Sequence, residues 1–181
     1  MLRTVRTVVP LLSLLVAAGA SAQPAPPALE QEVRLATLGG LVVKAPAWKV
    51  SRRDDAVAVL EQAPDPAHKR PFHVLMVALE AGPAPGPIPW EKIRDNVVTA
   101  ATKSGRSLSL ELGDAWPGAP GFEARYLSGS FRGAGDERVA LELLALVKDG
   151  RLVTVSLVSE AQTPDTRSLL DAVAATVALG G

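Results

Sequence analysis

The sequence predicts an α+β layered sandwich, in which two amphipathic helices pack on a mainly antiparallel sheet. The first observation is the stretch 137–160, where two apolar runs flank the dipeptide Asp149-Gly150. Asp-Gly tolerates the positive φ angles of a two-residue type I′ turn, so this stretch predicts a hairpin. The second observation is a series of short alternating segments before the hairpin. The third is a pair of stretches with the apolar spacing of buried helices.

The two arms of the hairpin predict the centre of the sheet. In the first arm, apolar residues occupy both faces, which is typical of a central strand that is covered on two sides. In the second arm, Val153, Val155 and Leu157 alternate with Thr154 and Ser156. The second arm therefore predicts one buried face and one wetter face.

Six further strands are predicted before the hairpin, and most of them follow one another closely enough to pair as antiparallel neighbours. They cover residues 41–46, 48–51, 56–62, 72–80, 107–112 and 122–131. Residues 52–55 form a polar turn, and residues 63–70 form a loop whose two prolines prevent regular structure. In the last of the six strands the alternation fails near Gly129, which predicts a bulge or a bend.

Two helices are predicted from apolar stripes and from their N-terminal residues. The first covers residues 89–101, with Pro89 at the first helical position and Glu91 near the positive end of the helix dipole. The second follows Thr163, a good N-cap, with Pro164 at its first position. The two stripes are Trp90, Ile93, Val97 and Ala100, and Leu169, Leu170, Val173, Ala174 and Val177.

The N-terminal segment has the features of a signal peptide. Arg3 and Arg6 supply its positive charge, residues 8–18 are apolar, and residues 20–22 (ASA) form a small-x-small cleavage signal. An uncleaved membrane anchor is the alternative, but the apolar stretch is shorter than the ~20 residues that a bilayer span needs. We therefore expect cleavage before Gln23 and a location in the periplasm or outside the cell.

The remainder of the chain predicts a single domain. Residues 1–22 are the signal peptide, residues 23–34 are a proline-rich tether, and residues 35–181 are the domain. A chain of 181 residues is long enough to form one hydrophobic core and too short for two domains of typical size.

Charge and cysteine content exclude several classes of function. Cleavage removes two of the 19 basic side chains and none of the 19 acidic ones, which leaves 17 against 19 and a net charge of −2. This balance carries no electrostatic footprint for nucleic acid. The chain has no cysteine, so it has no disulfide, no thiol nucleophile and no lipid-acceptor cysteine.

Four segments together resemble the Mog1/PsbP-like fold, including its bacterial DcrB-like relatives. They are the opening LGGLVVKAPAWKV at 38–50, the helix that begins at Trp90, the strand series at 107–160 and the closing LLDAVAATV at 169–177. The resemblance covers residues 35–179. It implies a curved antiparallel sheet of about six or seven strands, flanked by two main helices in an α/β/α-type sandwich. It also implies a family of small non-catalytic proteins that assist or bind larger assemblies, with no shared active site and therefore no residue to carry over.

The histidines do not form a convincing metal or acid–base site. The chain has only two, His68 and His73, and Pro71 lies between them. Lys69 and Arg70 would also repel a cation, and a metal site would need a carboxylate from elsewhere. We therefore expect one loop histidine and one strand histidine.

Serine, glycine and acidic residues also lack a catalytic pattern. Residues 128–130 (SGS) lack the Gly-x-Ser-x-Gly spacing of a nucleophile elbow, and no phosphate-loop lysine follows Gly133 and Gly135. The acidic pairs at 54–55 and 136–137 fit solvated turns better than half of a calcium site. We expect no catalytic residue, no cofactor and no metal, and hence a protein that is not an enzyme.

Three residues are candidates for partner binding: Trp116, Asp114 and Trp48. Trp116 and Asp114 lie in the loop 113–118, which has no apolar periodicity, so an exposed Trp116 would be a reasonable anchor for a partner. Trp116 could equally fold under the loop as a plug. Trp48 begins a predicted strand and is expected at the edge of the core.

Three functions remain open at this point. The leading hypothesis is an exported, non-enzymatic binding or assembly module that contacts another protein of the bacterial cell envelope. The alternative is a periplasmic binder of a small apolar ligand or lipid, in a groove between the sheet and a helix lined by Leu75, Val77, Leu141 and Leu143. An enzyme with an unfamiliar carboxylate site is the third. A deep apolar cavity would favour the second, and a flat exposed patch around Trp116 would favour the first.

Overall fold

The computed structural model describes residues 28–62, 73–132, 138–160 and 162–180. The predicted signal peptide and most of the predicted tether lie outside these residues. The two helices are α1 (Trp90–Lys103) and α2 (Pro164–Ala174). The strands are, in chain order, β1 (Gln31–Leu35), β2 (Leu41–Ala45), β3 (Lys49–Arg53), β4 (Val57–Glu61), β5 (His73–Ala81), β6 (Leu108–Ala115), β7 (Glu123–Arg132), β8 (Arg138–Lys148), β9 (Arg151–Ser159) and β10 (Ala178–Leu179).

The strands form two antiparallel sheets. The large sheet has seven strands in the order β3-β4-β5-β9-β8-β7-β6, and the small sheet has three in the order β1-β2-β10. The predicted class is confirmed: two helices pack on a mainly antiparallel sheet in an α+β fold. The division into a large and a small sheet was not predicted.

The predicted hairpin is confirmed at the centre of the large sheet. β8 and β9 pair from Lys148 opposite Arg151, next to the turn, to Ala140 opposite Ser159. Asp149 and Gly150 have φ angles of 50° and 68°, as a two-residue type I′ turn requires. Because the turn sets the register, it also decides which side chains of β8 and β9 share a face.

One face of the large sheet, here called the α2 face, is closed by α2 and by the small sheet. Alternate residues of the central strands pack there with the apolar stripe of α2 and with Val33, Leu41 and Val43 of the small sheet. Side chains that are at most 1% exposed there include Leu60, Leu75, Val77, Leu144, Leu146, Val153, Val155, Leu157, Leu170 and Val173. This face is a dry aliphatic core.

The opposite face, here called the α1 face, carries a second and smaller core. α1 packs chiefly on β6, at one edge of the sheet. The buried members of this core are Ile93, Leu108, Leu110, Leu127, Leu141, Leu143, Ala145 and Val147. Because α1 is displaced toward the edge, β9, β5 and β4 are left partly uncovered on this face.

The start of α2 confirms the predicted cap. The Thr163 hydroxyl accepts a hydrogen bond from the Thr166 backbone N–H at 3.2 Å, and the Thr166 hydroxyl accepts one from the Thr163 N–H at 2.9 Å. Pro164 occupies the first helical position. These reciprocal bonds satisfy two donors that a helix start otherwise leaves unpaired.

The small sheet lies partly where no strand was predicted. β1 begins at Gln31, inside the predicted tether 23–34, and β10 follows α2 where only a chain end was expected. β10 has two residues, which pair with Leu41 and Val42. Two residues are too few to show the alternating apolar pattern of a strand. The prolines that precede β1 led its alternating residues to be assigned to the tether.

Gly129 marks a close approach between strands and not the predicted bulge. β7 pairs with β8 without a register shift, and the shift between β6 and β7 lies between Leu112 and Ala115. A Cβ atom on Gly129 would lie 1.9 Å from the carbonyl oxygen of Ser109. Gly129 therefore allows β6, which carries α1, to lie close against β7.

Candidate functional site

A largely apolar groove lies on the α1 face, between α1 and the partly uncovered strands. Its volume is about 580 Å³, within the range of about 300–1,000 Å³ that is typical of small-molecule sites. The floor is formed by β5, β8 and β9, one wall by α1, and one end by Leu108 and Phe131. We call it the α1 groove.

Strand register explains the floor of the α1 groove. Met76 of β5, Ser156 of β9 and Leu143 of β8 lie side by side in one row. In the adjacent row, Ala78 and Thr154 present small side chains, which deepens the floor. Met76 is 38% exposed although its strand is interior to a seven-stranded sheet, because α1 does not reach it. The free protein therefore leaves apolar surface open to water at this point.

The wall of the groove comes from the stripe predicted for α1. Ile93 is buried, and Val97 is half-buried, while Ala100 and Ala101 complete the groove-facing side of the helix. The groove-facing residues recur at three- and four-residue spacing, so they lie on one side of the helix. The stripe thus both packs on β6 and lines the cavity.

The groove prediction is half right. Leu141 and Leu143 line the groove as predicted. Leu75 and Val77 are fully buried on the α2 face, so their assignment was wrong. β5 is apolar on both faces, and for such a strand alternation cannot tell which set of residues faces which helix. The groove-lining residue that sequence reasoning missed here is Met76.

Thr154 and Ser156 are the polar part of the floor. The prediction that these two residues form a wetter face is wrong, because Thr154 is only 8% exposed and Ser156 only 1% exposed. The pattern was still informative, because two polar residues on one face of a central strand indicate that this face is not part of the main apolar core. Both residues line the α1 groove.

Three charged side chains line the groove: Glu80, Lys92 and Arg106. The Arg106 guanidinium lies 5.3 Å from the centroid of the Phe131 ring, in a cation–π contact. None of the three charged side chains has an ion-pair partner among the residues that the structure describes.

Trp116 is buried, so of the two alternatives for this residue the structure agrees with the plug under the loop and not with an exposed anchor. Trp116 is 9% exposed and its side chain belongs to the core of the α2 face, while its backbone N–H donates to the Ala124 carbonyl at 2.9 Å. A Cβ atom on Gly118 would lie 2.3 Å from the indole ring, so the loop folds closely over it. Trp116 therefore fills the space under the loop as a plug.

The other two partner-binding candidates lie far apart. Asp114 is exposed on β6, and Trp48 is half-buried just before β3. β3 and β6 are the two edge strands, separated by six strand spacings, or about 29 Å at about 4.8 Å each. Together with the buried Trp116, this separation means that the three residues form no common surface. Partner contact by Asp114 or Trp48 stays a prediction.

His73 lies in a packed environment next to Trp48. The two rings stack with centroids 6.0 Å apart, and the His73 Nδ1 atom lies 2.6 Å from the Gln62 Oε1 atom. Burial lowers the pKa of His73 below its usual value, and the charge of Glu160 partly opposes that shift. His68 lies outside the described residues, so the histidine pair stays untested.

A polar cluster on the α2 face joins α2 to β7. The Tyr126 hydroxyl donates to the Asp171 carboxylate, and the Arg167 guanidinium lies 3.3 Å from the centroid of the Tyr126 ring. Burial raises the pKa of Tyr126 to about 12, and the bond to Asp171 adds to the shift. The cluster holds the helix in place and lies on the sheet face away from the α1 groove.

Two further acidic residues, Glu142 and Asp54, do not line the α1 groove. Glu142 is 6% exposed, and its Oε2 atom has no hydrogen-bond partner among the described residues. Glu142 lies opposite Leu157 on the α2 face, away from the groove. Asp54 accepts hydrogen bonds from the N–H groups of Ala56 and Val57, which lower its pKa below the usual value.

The residues that the structure describes contain no group of three or more histidine and acidic side chains placed to hold a metal ion. None of the described helices has both the length and the apolar content to cross a bilayer.

Comparison with solved structures identifies the fold. The solution structure of cyanobacterial PsbP (CyanoP) from Synechocystis sp. PCC 6803 matches with a TM-score of 0.53 and 18% identity, over 82% of this chain and 91% of that one. A protein from Bacteroides thetaiotaomicron VPI-5482 matches with a TM-score of 0.45 and 11% identity, over 78% of this chain and 45% of that one. A protein of unknown function, PA94 from Pseudomonas aeruginosa, matches with a TM-score of 0.42 and 13% identity, over 76% of this chain and 88% of that one.

The first of these similarities confirms the predicted PsbP-like fold. At 18% identity it concerns the fold alone and assigns no functional residue. No protein-family model and no curated protein matches the chain. Function must therefore be argued from the α1 groove itself.

Proposed function

We propose that the protein is a non-enzymatic binding protein that holds an apolar or amphiphilic small molecule in the α1 groove. The observation that carries the proposal is the open apolar floor around Met76, in the interior of a large sheet. An interior strand is normally covered on both faces or polar on one of them. Here the exposed part of the floor is the apolar Met76 side chain, so a bound apolar group would complete the packing around it.

The energetics favour an elongated ligand. Burying a methylene group contributes about 0.8 kcal/mol, whereas association costs about 4 kcal/mol or more in lost freedom of motion. A short apolar molecule would therefore bind weakly, and affinity should rise with chain length until the groove is filled. A long alkyl chain is the simplest ligand with this property.

Protein contact is less well supported by the described residues. The proposed anchor Trp116 is part of the core, and Trp48 and Asp114 lie on opposite edges of the large sheet. An accessory role beside a larger assembly remains compatible with ligand binding, because a carrier can deliver its ligand to a partner. We place the ligand-binding activity first.

We extend the proposal to location. The predicted signal peptide at residues 1–22 supports export to the periplasm or beyond it. In that compartment, a carrier would shield an apolar molecule from water between membranes. Cell fractionation with an antibody to the protein tests this part separately from binding.

The test of binding uses N-phenylnaphthylamine, an uncharged apolar dye whose fluorescence rises when it leaves water. We expect saturable binding to the wild-type protein. Ala100→Phe places a ring in the groove from an exposed position on α1, so binding should fall at least tenfold. Thr99→Phe, on the same helix but outside the groove lining, is the matched control and should bind as the wild type does.

Two results would contradict the proposal: no saturable binding by the wild-type protein, or equal binding by Ala100→Phe. Native mass spectrometry of the protein isolated from its own cell envelope adds a second measurement. Co-purification of an amphiphile supports the proposal. A stoichiometric protein partner with an empty groove would support protein contact instead.

A further inference from the structure

We infer that the ligand is a single-chain amphiphile with a carboxylate headgroup, a fatty acid, and that Arg106 binds the headgroup at the C-terminal end of α1. This inference rests on the proposed function and deepens it. It is carried by the shape of the α1 groove, by the charges along it and by the contacts of Arg106.

The groove has the length of one extended chain. Its floor follows β9 from Leu152 to Val158, which is about 20 Å at about 3.3 Å per residue. Its wall is α1, whose 14 residues span about 21 Å at 1.5 Å per residue. Floor and wall thus match in length, so a single alkyl chain can lie along α1 with its headgroup at one end.

The two ends of the groove differ in charge. Near the start of α1, the lining contains Lys92 and also the acidic Glu80 on β5. Beyond the end of α1, the lining contains Arg106 together with Leu108 and Phe131, and no acidic residue of the described chain lines that end. An anionic headgroup is therefore favoured at the Arg106 end, where no carboxylate competes for the cation.

Arg106 is held in position for this contact. The Phe131 ring supports the guanidinium by the cation–π contact, and among the described residues no carboxylate or carbonyl accepts a hydrogen bond from it. A guanidinium has five N–H donors and binds a carboxylate through two parallel hydrogen bonds. One cation at this end matches one negative charge, which favours a carboxylate over a doubly charged phosphate.

The helix dipole does not oppose the headgroup strongly. The C-terminal carbonyls of a helix carry partial negative charge. Here the backbone N–H groups of Ser104 and Arg106 donate to the carbonyl oxygens of Ala100 and Ala101, and Gly105 donates to Thr102. The last turn therefore presents few free carbonyl oxygens to an anion.

The test is calorimetric titration with three probes of equal chain length: dodecanoate, dodecyl phosphate and dodecyltrimethylammonium, each below its micelle concentration. We expect the wild-type protein to bind dodecanoate about tenfold more tightly than the ammonium probe. Arg106→Gln should reduce dodecanoate affinity five- to tenfold and abolish the preference, because it removes charge-assisted hydrogen bonds. Arg106→Lys should restore much of the preference and shows that loss of charge, not misfolding, is responsible.

Two further variants locate the effect. Lys103→Gln removes a charge from the last turn of α1, outside the groove lining, and should leave dodecanoate affinity unchanged. Lys92→Gln tests the opposite end and should reduce affinity less than Arg106→Gln does. A larger loss in Lys92→Gln would overturn the orientation, and tighter binding of dodecyl phosphate would overturn the carboxylate class.

The failures of the two proposals are distinguishable. Equal binding of all three probes overturns the headgroup inference and leaves the proposed function standing. Absence of binding by all three, together with absence of N-phenylnaphthylamine binding, overturns the proposed function and the inference with it.

Discussion

The two faces of the seven-stranded sheet are built from the same strands but are closed to different extents. On the α2 face, a helix, a second sheet and the Trp116 plug cover the central strands, and Leu144 and Leu146 are completely buried. On the α1 face, a single helix packs near the edge, and Met76 remains 38% exposed. The alternation of side chains along each strand thus separates a closed core on one face from an open groove on the other.

The largest expected difference concerns two neighbouring leucines on β8 that point to opposite faces. Leu144→Ala should lower the free energy of unfolding by about 2–5 kcal/mol, because it leaves a sealed cavity in the α2 face. Leu143→Ala should lower the free energy of unfolding by less, since the space left by the removed side chain joins the α1 groove and water can enter. Urea denaturation of both variants measures the difference. Equal losses would contradict the distinction between the two faces.

The second prediction concerns the position of α1. Gly129→Ala places a methyl group against the Ser109 carbonyl oxygen, so β6 must move away from β7. We expect a loss of about 1–3 kcal/mol in unfolding free energy and weaker dye binding, because β6 carries α1. Ser128→Ala, on the same strand, is the control. A destabilised Gly129→Ala protein with unchanged binding would show that the groove does not depend on this strand spacing.

The third prediction concerns the helix of the closed face. Thr163→Ala removes the hydroxyl that accepts from the Thr166 N–H, which is one of the two bonds of the reciprocal cap of α2, and should lower the unfolding free energy by about 1 kcal/mol. Thr163→Ser keeps the hydroxyl and should restore most of it. Hydrogen exchange should rise at the start of α2 and remain unchanged in α1. Faster exchange in α1 would indicate that the two faces are coupled.

The smallest effect at neutral pH is expected at the junction of α2 with β7. Tyr126 is the chain's single tyrosine, so its ionisation can be followed directly by ultraviolet absorbance. Its pKa should lie at about 12, compared with 10.0 for an unperturbed phenol. The folded state favours the neutral phenol, so this contribution to stability is complete below pH 10 and is lost as pH rises through about 12.

Asp171→Asn is the matched variant for the tyrosine titration. It removes the acceptor's negative charge, so the pKa of Tyr126 should fall toward 10.0 while burial keeps part of the shift. A wild-type pKa near 10.0 in the folded protein would show that the hydroxyl is exposed to water, and that the α2 face is less closed than the structure indicates.

Local signals predicted the local features correctly. Asp149-Gly150 specified the hairpin because few dipeptides tolerate its φ angles, and Thr163 with Pro164 specified the start of α2 because both satisfy the needs of a helix terminus. These predictions hold because each depends on residues close together in the chain.

The predictions from sequence failed, or left alternatives open, where segments distant in the chain come into contact. For Trp116, the loop's lack of apolar periodicity left an exposed anchor and a buried plug equally open, and contacts with the core decide for the plug. Leu75 and Val77 were assigned to the groove because β5 is apolar on both faces, and no pattern distinguishes the two sets. Gly129 suggested a bulge, whereas it permits close contact with Ser109, 20 positions earlier in the chain.

The sequence by itself determined the strands of the central hairpin, the two helices and the division of each strand into two sets of side chains. Alternation sets which residues share a face, because successive side chains of a strand point in opposite directions. The tertiary structure decided which set is sealed and which lines a groove. That choice depends on where α1 lies across the sheet, and its position is set by packing against β6, which no local pattern in α1 encodes.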